Sequence, residues 1–413
     1  MKRVRFFALA FFILLLVAVL VSCGVNGGVP DATGVDPASG STTGDADPAV
    51  PASEGLAFRT NGDGTCTLTG IGSCKDKRIV IPSKAENGDR VTSIATEAFK
   101  KVTGVTGVVI PDSVGNVGDY AFSGCSGLTS VTVGNGVTRI GKGAFYKCDA
   151  LTSVTIGSGV AVIGEYSFYN CAKLTSIVVP NGVTSIGGHA FDGCSALTTV
   201  TLPTGVTTVG DAAFNGCSKL NRATVPASVI SSLPKTQLQA VDILCGAIPD
   251  RAFEGCVNLT SLTIRNGVVG IGQVAFTRCT GLTSVTIPGS VVSIGGGAFD
   301  GCTGLTSVKI SDGVMDVGAT AFQHCSKLTS IVIPGSVTSI GDGAFNSCTQ
   351  LASVTIGNGV ANIGSWAFLA CSRLTTITYQ GTKARWNEIA KGREWNSETG
   401  NYTVRCTDGT VAK

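Results

Sequence analysis

The sequence predicts a repeat solenoid, a stack of about 13 coils of 23 residues that share one core. An Ala-Phe or Ser-Phe pair recurs every 23 residues, in one run of six from Phe99 to Phe214 and another from Phe253 to Phe368. Cys follows three residues after eleven of these twelve Phe residues. Glycine accounts for 56 of 413 residues and charged residues for only 14%. This composition favours repeated tight turns over two or three ordinary globular domains.

Each coil is expected to hold one short strand and one helical turn. In the Leu-x-x-Val-x-Ile segment, the two-residue period points Val154 and Ile156 to one face and Ser153 and Thr155 to the other. The Ala-Phe-x-x-Cys segment then places Phe and Cys on one side of a short helical turn. A single coil cannot bury its apolar face, so the strands stack in parallel on one side and the turns on the other. This is a leucine-rich-repeat-like solenoid.

The N-terminus predicts export and lipid attachment. A basic start is followed by the 16-residue apolar run Phe6–Val21, shorter than the roughly 20 residues that a membrane-spanning helix needs. Residues 1–22 are therefore predicted to be a signal peptide. The run closes on a small residue and Cys23, which resembles a bacterial lipobox, with Cys23 as the site of lipid attachment. The alternative is a signal peptide cleaved nearby, with an incidental cysteine.

The remaining boundaries follow from composition. Residues 23–54 are rich in Gly, Pro, Ala and Ser and predict a lipid-anchored flexible tether. Residues 55–94 predict an N-terminal cap with a hairpin turn at Asn61-Gly-Asp-Gly and a first strand. The repeats occupy residues 95–378, and residues 379–413 predict a C-terminal cap that contains two of the three Trp residues.

One coil is abbreviated. Phe214 and Phe253 are 39 residues apart, and residues 221–252 retain the strand pattern but lack the Ala-Phe-x-x-Cys turn. A degenerate repeat and a binding insert are both compatible with this gap.

The cysteine spacing predicts buried thiols. Equivalent residues of stacked coils lie near 4.8 Å apart with parallel side chains, whereas disulfide-linked Cβ atoms lie at about 3.8 Å and converge. Cys66 and Cys74 lie outside the repeat register, and a hairpin could bring them together. The sequence leaves open whether they form a disulfide in the cap.

Little in the sequence indicates an enzyme or a cofactor-binding protein. There are two His residues in all, no Cys-x-x-Cys pair and no nucleophile motif. We predict no catalytic residues, no metal site and no cofactor. The net charge of +3 is spread along the chain, so no surface for nucleic acid is expected.

The outward-facing strand positions are the candidate partner-binding face. They form two columns of hydroxyl side chains with little charge, interrupted at Val178, Asp242, Lys309 and Val332. Their members are Ser130, Thr132, Ser153, Thr155, Thr199, Thr201, Ser261, Thr263, Ser284, Thr286, Ser353 and Thr355. Thr also suits any exposed strand, so the columns are compatible with both recognition and plain strand propensity.

The repeat unit Ala-Phe-x-x-Cys-x-x-Leu-Thr-Ser-Val-Thr-Ile-Pro-x-x-Val-x-x-Ile-Gly resembles that of the BspA-like leucine-rich repeat surface proteins. The resemblance runs from about Gly55 to Lys413 and includes the entry segment near Asn61 and the exit segment around Trp386. It implies surface display and adhesion to host matrix, host cells or other bacteria. No residue-level binding motif comes with the family, and the abbreviated coil departs from its regular repeat.

These features favour one of three functions. The favoured one is a lipoprotein at the outer membrane or cell surface that binds a protein or glycan on host or bacterial surfaces. It would contact the membrane through its lipidated N-terminus only and would bind no nucleic acid. The alternative is a structural or antigenic envelope spacer without a dedicated ligand. An enzyme would need a polar cluster outside the repeat register, and the sequence shows none.

Overall fold

The structure is a computed structural model that describes residues 51–413. The chain divides into two compact units, with the boundary between Leu220 and Asn221, and each is described by itself. The predicted signal peptide, Cys23 and most of the predicted tether lie outside the described residues.

In the first unit, each coil contributes one strand to the front face and one to a second sheet, and the second-sheet strand is the shorter of the two in every coil but the first. The cap strands are β1 (Ala57–Thr60) and β2 (Thr65–Gly70). The front strands are β3 (Arg78–Val80), β5 (Gly107–Ile110), β7 (Ser130–Val133), β9 (Ser153–Thr155), β11 (Ser176–Val178) and β13 (Thr199–Thr201). The second-sheet strands are β4 (Arg90–Ile94), β6 (Asn116–Val117), β8 (Arg139–Ile140), β10 (Val162–Ile163), β12 (Ser185–Ile186) and β14 (Thr208–Val209).

The second sheet is formed by the Val-x-x-Ile-Gly segment, which the sequence pattern indicates only as a connection. Its strands pair in parallel, coil on coil, as Ile140 does with Ile163. The glycine after each strand permits this stacking, since a Cβ on Gly141 would lie 2.6 Å from the Val117 carbonyl oxygen. The high glycine content therefore reflects close backbone approach between neighbouring coils.

The third side of each coil consists of single hydrogen-bonded turns, not α-helices. The Cys125 amide donates to the Phe122 carbonyl at 3.2 Å, the three-residue spacing of a 3₁₀ turn. Alternate amides bond to the next coil, as the Phe122 amide does to the Ala144 carbonyl at 2.7 Å. The predicted short helical turns are thus one turn each, tied to their neighbours by backbone hydrogen bonds.

The core of both units is a ladder of phenylalanine rings. In the second unit, Phe276 stacks between Phe253 at 5.4 Å and Phe299 at 5.1 Å, with interplanar angles of 9° and 10°. These rings are fully buried, together with the Leu and Cys of each repeat. The single repeat period therefore places equivalent side chains in contact, as the sequence predicts.

The N-terminal cap is an antiparallel hairpin of β1 and β2, and its turn is the predicted Asn-Gly-Asp-Gly segment. The Asn61 amide donates to the Thr65 carbonyl at 2.9 Å. Packing begins before residue 55, because Ser53 is buried and its amide donates to the Val80 carbonyl at 2.9 Å. The end of the segment predicted as tether is therefore part of the folded cap.

The second unit repeats the two-sheet plan after an irregular start. Its front strands are β15 (Arg222–Val225), β18 (Ser284–Ile287), β20 (Ser307–Ile310), β22 (Ser330–Ile333), β24 (Ser353–Ile356) and β26 (Thr376–Tyr379). Two long strands, β16 (Ala240–Ile248) and β17 (Ser261–Ile271), pair in parallel and run on into the second sheet. The second-sheet strands that follow are β19 (Ser293–Ile294), β21 (Asp316–Val317), β23 (Ser339–Ile340), β25 (Asn362–Ile363) and β27 (Ala390–Lys391).

The abbreviated coil contains a 3₁₀ helix, Ala227–Ser232. Three residues of this helix, Ala227, Val229 and Ile230, are buried. The coil therefore keeps its core contribution while losing the Ala-Phe-x-x-Cys turn.

The C-terminal segment contains a short helix and a hairpin. Helix α1 (Lys383–Glu388) buries Trp386, and β28 (Thr403–Cys406) and β29 (Gly409–Ala412) form an antiparallel hairpin. Trp395 packs edge-on against Phe368 at 6.2 Å and so ends the ring ladder. None of the helices in residues 51–413 has the length and hydropathy of a membrane span.

Candidate binding face

The front sheets place the predicted hydroxyl columns on one side of each unit. Ser130 and Thr132 of β7 pair in register with Ser153 and Thr155 of β9. Of the twelve predicted residues, nine are exposed, and Thr199, Thr201 and Thr355 are half-buried. Both columns therefore exist within each unit, as strand alternation requires.

The hydroxyl groups of these twelve residues make no hydrogen bond to any other residue of the described chain. Threonines one position before the strands behave differently: Thr152 Oγ1 donates to the Thr129 carbonyl at 3.0 Å. The column hydroxyls are thus free to bind a partner, whereas the threonines beside them are used by the fold.

The columns are interrupted where the sequence indicates. In register, Thr201 lies beside Val178, and Thr286 beside Lys309. Val178 is 66% exposed and Val332 is 53% exposed. Asp242, beside Thr263, is bound by Arg265, whose Nη2 lies 2.6 Å from the Asp242 Oδ2. The face is therefore hydroxyl-rich with isolated apolar and charged positions.

A groove of about 420 Å³ opens in this face between β9 and β11. Its lining includes Ser153, Thr155, Ser176 and Val178. The two strands belong to different hydrogen-bonded sheets, so the ladder is interrupted at this point. Sequence reasoning indicated Ser153, Thr155 and the exposed Val178, but not the break that groups them with Ser176.

The repeat cysteines form a buried thiol ladder. Ten of the eleven thiols donate to the carbonyl of the Phe one coil earlier, as Cys302 Sγ does to the Phe276 oxygen at 3.1 Å. Burial raises the pKa of Cys125 and of Cys302 to about 12. Because the thiolate is the reactive form, these groups are inert side chains of the core.

Cys66 and Cys74 are both buried free thiols in the structure. Cys66 lies on β2, and its Sγ donates to the Asp89 carbonyl at 3.7 Å. The structure therefore contains no cap disulfide between them, the arrangement that the sequence left open.

The described residues hold no group of three or more His, Cys, Asp or Glu side chains placed to bind a metal ion. The two histidines each pair with one carboxylate. His189 Nδ1 lies 2.8 Å from Asp192 Oδ2, and His324 Nδ1 lies 3.0 Å from Asp300 Oδ1. Neither pair has a nucleophile within its hydrogen-bond partners.

These features define a parallel β-solenoid with an exposed hydroxyl-rich strand face. The family model for the BspA type leucine rich repeat region matches residues 92–221, 161–240 and 246–375. The chain belongs to this family.

Solved structures of bacterial leucine-rich repeat proteins also match. A leucine rich cell surface protein from Faecalibacterium prausnitzii is 31% identical, with 83% of this chain and 98% of that one covered, at a TM-score of 0.40. A leucine-rich repeat protein from Bacteroides ovatus is 25% identical, with 85% and 98% covered, at a TM-score of 0.39. No curated protein matches the chain.

Proposed function

We propose that this chain is a non-enzymatic lipoprotein of the cell surface whose solenoid binds a macromolecular partner through the front strand face. One observation carries the proposal: the front strands of the two units carry twelve hydroxyl side chains at outward-facing positions, and none is used for hydrogen bonds within the described chain. Extended faces of this kind are the surfaces that solenoids offer to partners. The partner class that we favour is a protein on host or bacterial surfaces.

The groove beside β9 and β11 is the proposed centre of contact. Val178, 66% exposed, offers an apolar side chain, and the free hydroxyls of Ser153, Thr155 and Ser176 surround it. A small apolar centre with a polar surround is typical of protein–protein contacts.

The binding test uses the full chain on an array of matrix proteins, host-cell surface glycans and bacterial surface extracts. The double variant Thr155→Arg/Thr286→Arg introduces a large cation in the front face of each unit. We expect at least tenfold weaker binding of the array ligand, because each Arg covers hydroxyls and fills space that the partner occupies. Surface plasmon resonance gives the ratio of dissociation constants.

The matched control is Thr207→Arg, the same change at an exposed threonine that leads into the second-sheet strand β14. Its binding is expected to remain within twofold of the unchanged chain. Equal losses in the double variant and the control would place the contact elsewhere. A folded chain that binds no ligand of the array would favour the envelope-spacer function.

Lipid attachment at Cys23 has its own test. The Cys23→Ala variant is expected to leave the membrane fraction for the soluble fraction and to lose the mass of the acyl chains, because several chains on one residue give stable anchoring. Cell fractionation and intact-mass spectrometry measure both effects. Unchanged membrane association and unchanged mass in the variant would contradict the lipoprotein assignment. An unsubstituted chain that is already soluble and carries no acyl chains would support an ordinary cleaved signal peptide.

A further inference from the structure

An exposed aromatic cluster lies on the turn side of the first unit, away from the hydroxyl columns. Tyr120, Tyr146, Tyr166 and Tyr169 are four of the six tyrosines in the chain. They occupy the turns on either side of the buried Phe ladder positions and are all half-exposed. The proposed front-face function makes no use of them.

The tyrosines form one contiguous cluster. Tyr146 and Tyr169 stack with ring centroids 5.0 Å apart and an interplanar angle of 7°. Tyr120 meets Tyr146 edge-on at 6.4 Å, and Tyr166 meets Tyr169 edge-on at 5.7 Å. The cluster therefore offers ring edges and faces over several coils.

A glycine shapes the cluster. A Cβ on Gly143 would lie 2.4 Å from Cε1 of Tyr120. The Tyr120 ring thus lies over the next coil, in the space that any other side chain at position 143 would take. Gly143 also has φ of 57°, a conformation that favours glycine.

A cavity of about 370 Å³ lies beside Tyr120 and Tyr146. Glu97, Lys100 and two further lysines, Lys101 and Lys147, line it as well. Neither lysine has a carboxylate within ion-pair distance in the described chain. Lys100, in contrast, is paired with Glu97. Two unneutralised cations therefore border the aromatic rings.

The tyrosine hydroxyls are also unused. None of the four donates or accepts a hydrogen bond within residues 51–413. The Lys147 ammonium lies 5.4 Å from the centroid of the Tyr146 ring, which holds a cation at the edge of the aromatic surface. The cavity thus combines apolar ring surface, hydroxyl groups and positive charge.

We infer that this cavity binds an acidic oligosaccharide, one that carries carboxylate or sulfate groups. The apolar C–H faces of a pyranose suit tyrosine rings, and its hydroxyls suit the free phenol groups. Lys101 and Lys147 supply the charge-assisted hydrogen bonds that an anionic substituent requires. A bare anion would use the lysines alone, and a neutral sugar would leave both cations without a partner. This second site goes beyond the proposed front-face function.

Isothermal titration of the full chain with three hexasaccharides tests the inference: hyaluronan, which carries carboxylates, heparin, which carries sulfates, and neutral maltohexaose. Binding of at least one acidic oligosaccharide is expected, with maltohexaose about tenfold weaker or worse. The variant Lys101→Gln/Lys147→Gln should lose about tenfold in affinity for the acidic ligand. Tyr120→Leu/Tyr146→Leu, which keeps apolar bulk, should lose affinity by a similar factor.

Two control variants distinguish binding at the cavity from nonspecific attraction between the acidic ligand and the positive charges of the chain. Lys309→Gln/Lys327→Gln removes the same charge from the second unit and should remain within twofold of the unchanged chain. Thr155→Arg should also leave oligosaccharide binding intact, so failure of the front-face proposal and failure of this one are distinguishable. Absence of binding to both acidic hexasaccharides would overturn the inference. Equal losses of affinity in the cavity and control lysine variants would overturn it too. So would a chain that binds an acidic tyrosine-containing peptide but none of the hexasaccharides.

Discussion

Replacing Phe276 by alanine will lower the free energy of unfolding of the second unit by about 3–5 kcal/mol, the range for truncation of a buried aromatic ring. Phe276 is fully buried and touches a ring on each side, Phe253 at 5.4 Å and Phe299 at 5.1 Å. Removal of the ring takes away both stacking contacts and leaves a cavity in a ladder that has no spare side chain to fill it.

Urea denaturation followed by circular dichroism measures the change. The control is Val257→Ala, which also shortens an apolar side chain but at a residue that is 52% exposed. Its effect should stay within about 0.5 kcal/mol. A loss below about 1 kcal/mol for Phe276→Ala would mean that the ring ladder is not the stabilising core of the unit. The Phe276→Leu variant should lose an amount of unfolding free energy between the losses of Phe276→Ala and Val257→Ala.

The general architecture could be predicted because one period governs the whole chain. A 23-residue recurrence of Phe, Cys and Leu forces equivalent residues into contact, and strand alternation then fixes which face Ser153 and Thr155 occupy. The second sheet was not predicted. Strands such as β8 are two residues long, too short for any alternation to show, and their pairing depends on close backbone stacking at the following glycine.

The binding surfaces were predictable only in part. The hydroxyl columns follow from the period, but the groove depends on a break in hydrogen bonding between β9 and β11, for which no residue gives a local signal. The tyrosine cluster did have a signal. Tyr120 and Tyr166 each stand two residues before a ladder Phe, and Tyr146 and Tyr169 each stand one residue after. Because equivalent positions of successive repeats stack, these recurrences predict that the four tyrosines lie close together on the turn side.

Alkaline pH will unfold both units, because the thiol ladder must remain protonated. Burial raises the pKa of Cys125, Cys217, Cys302 and Cys371 to about 12, against an ordinary thiol value of about 8.5. Between those two values the folded chain binds more protons than the unfolded chain does. Stability is therefore full below pH of about 8.5 and falls as pH rises through the window.

The magnitude follows from linkage. Each of the four ladder thiols just named makes unfolding easier by about 1.4 kcal/mol per pH unit within the window, or about 2–3 kcal/mol by pH 10.5. The first unit has five ladder cysteines and the second has six. Since a domain has only about 5–15 kcal/mol of stability in total, we expect cooperative unfolding well before pH 12, measured by urea titration at a series of pH values between 7 and 11.

A single substitution isolates the contribution of the ladder. Cys302→Ala is expected to be less stable at pH 7, because it leaves a small cavity, yet to lose stability with pH less steeply, by about 1.4 kcal/mol per unit. Cys406→Ala should change the slope less, since burial also raises the pKa of Cys406 but this thiol lies outside the ladder and is only half-buried. Iodoacetamide should likewise label Cys406 in the folded chain and the ladder thiols only after unfolding. Rapid labelling of Cys302 at pH 8, or a slope that Cys302→Ala does not alter, would show that these thiols ionise in the native core.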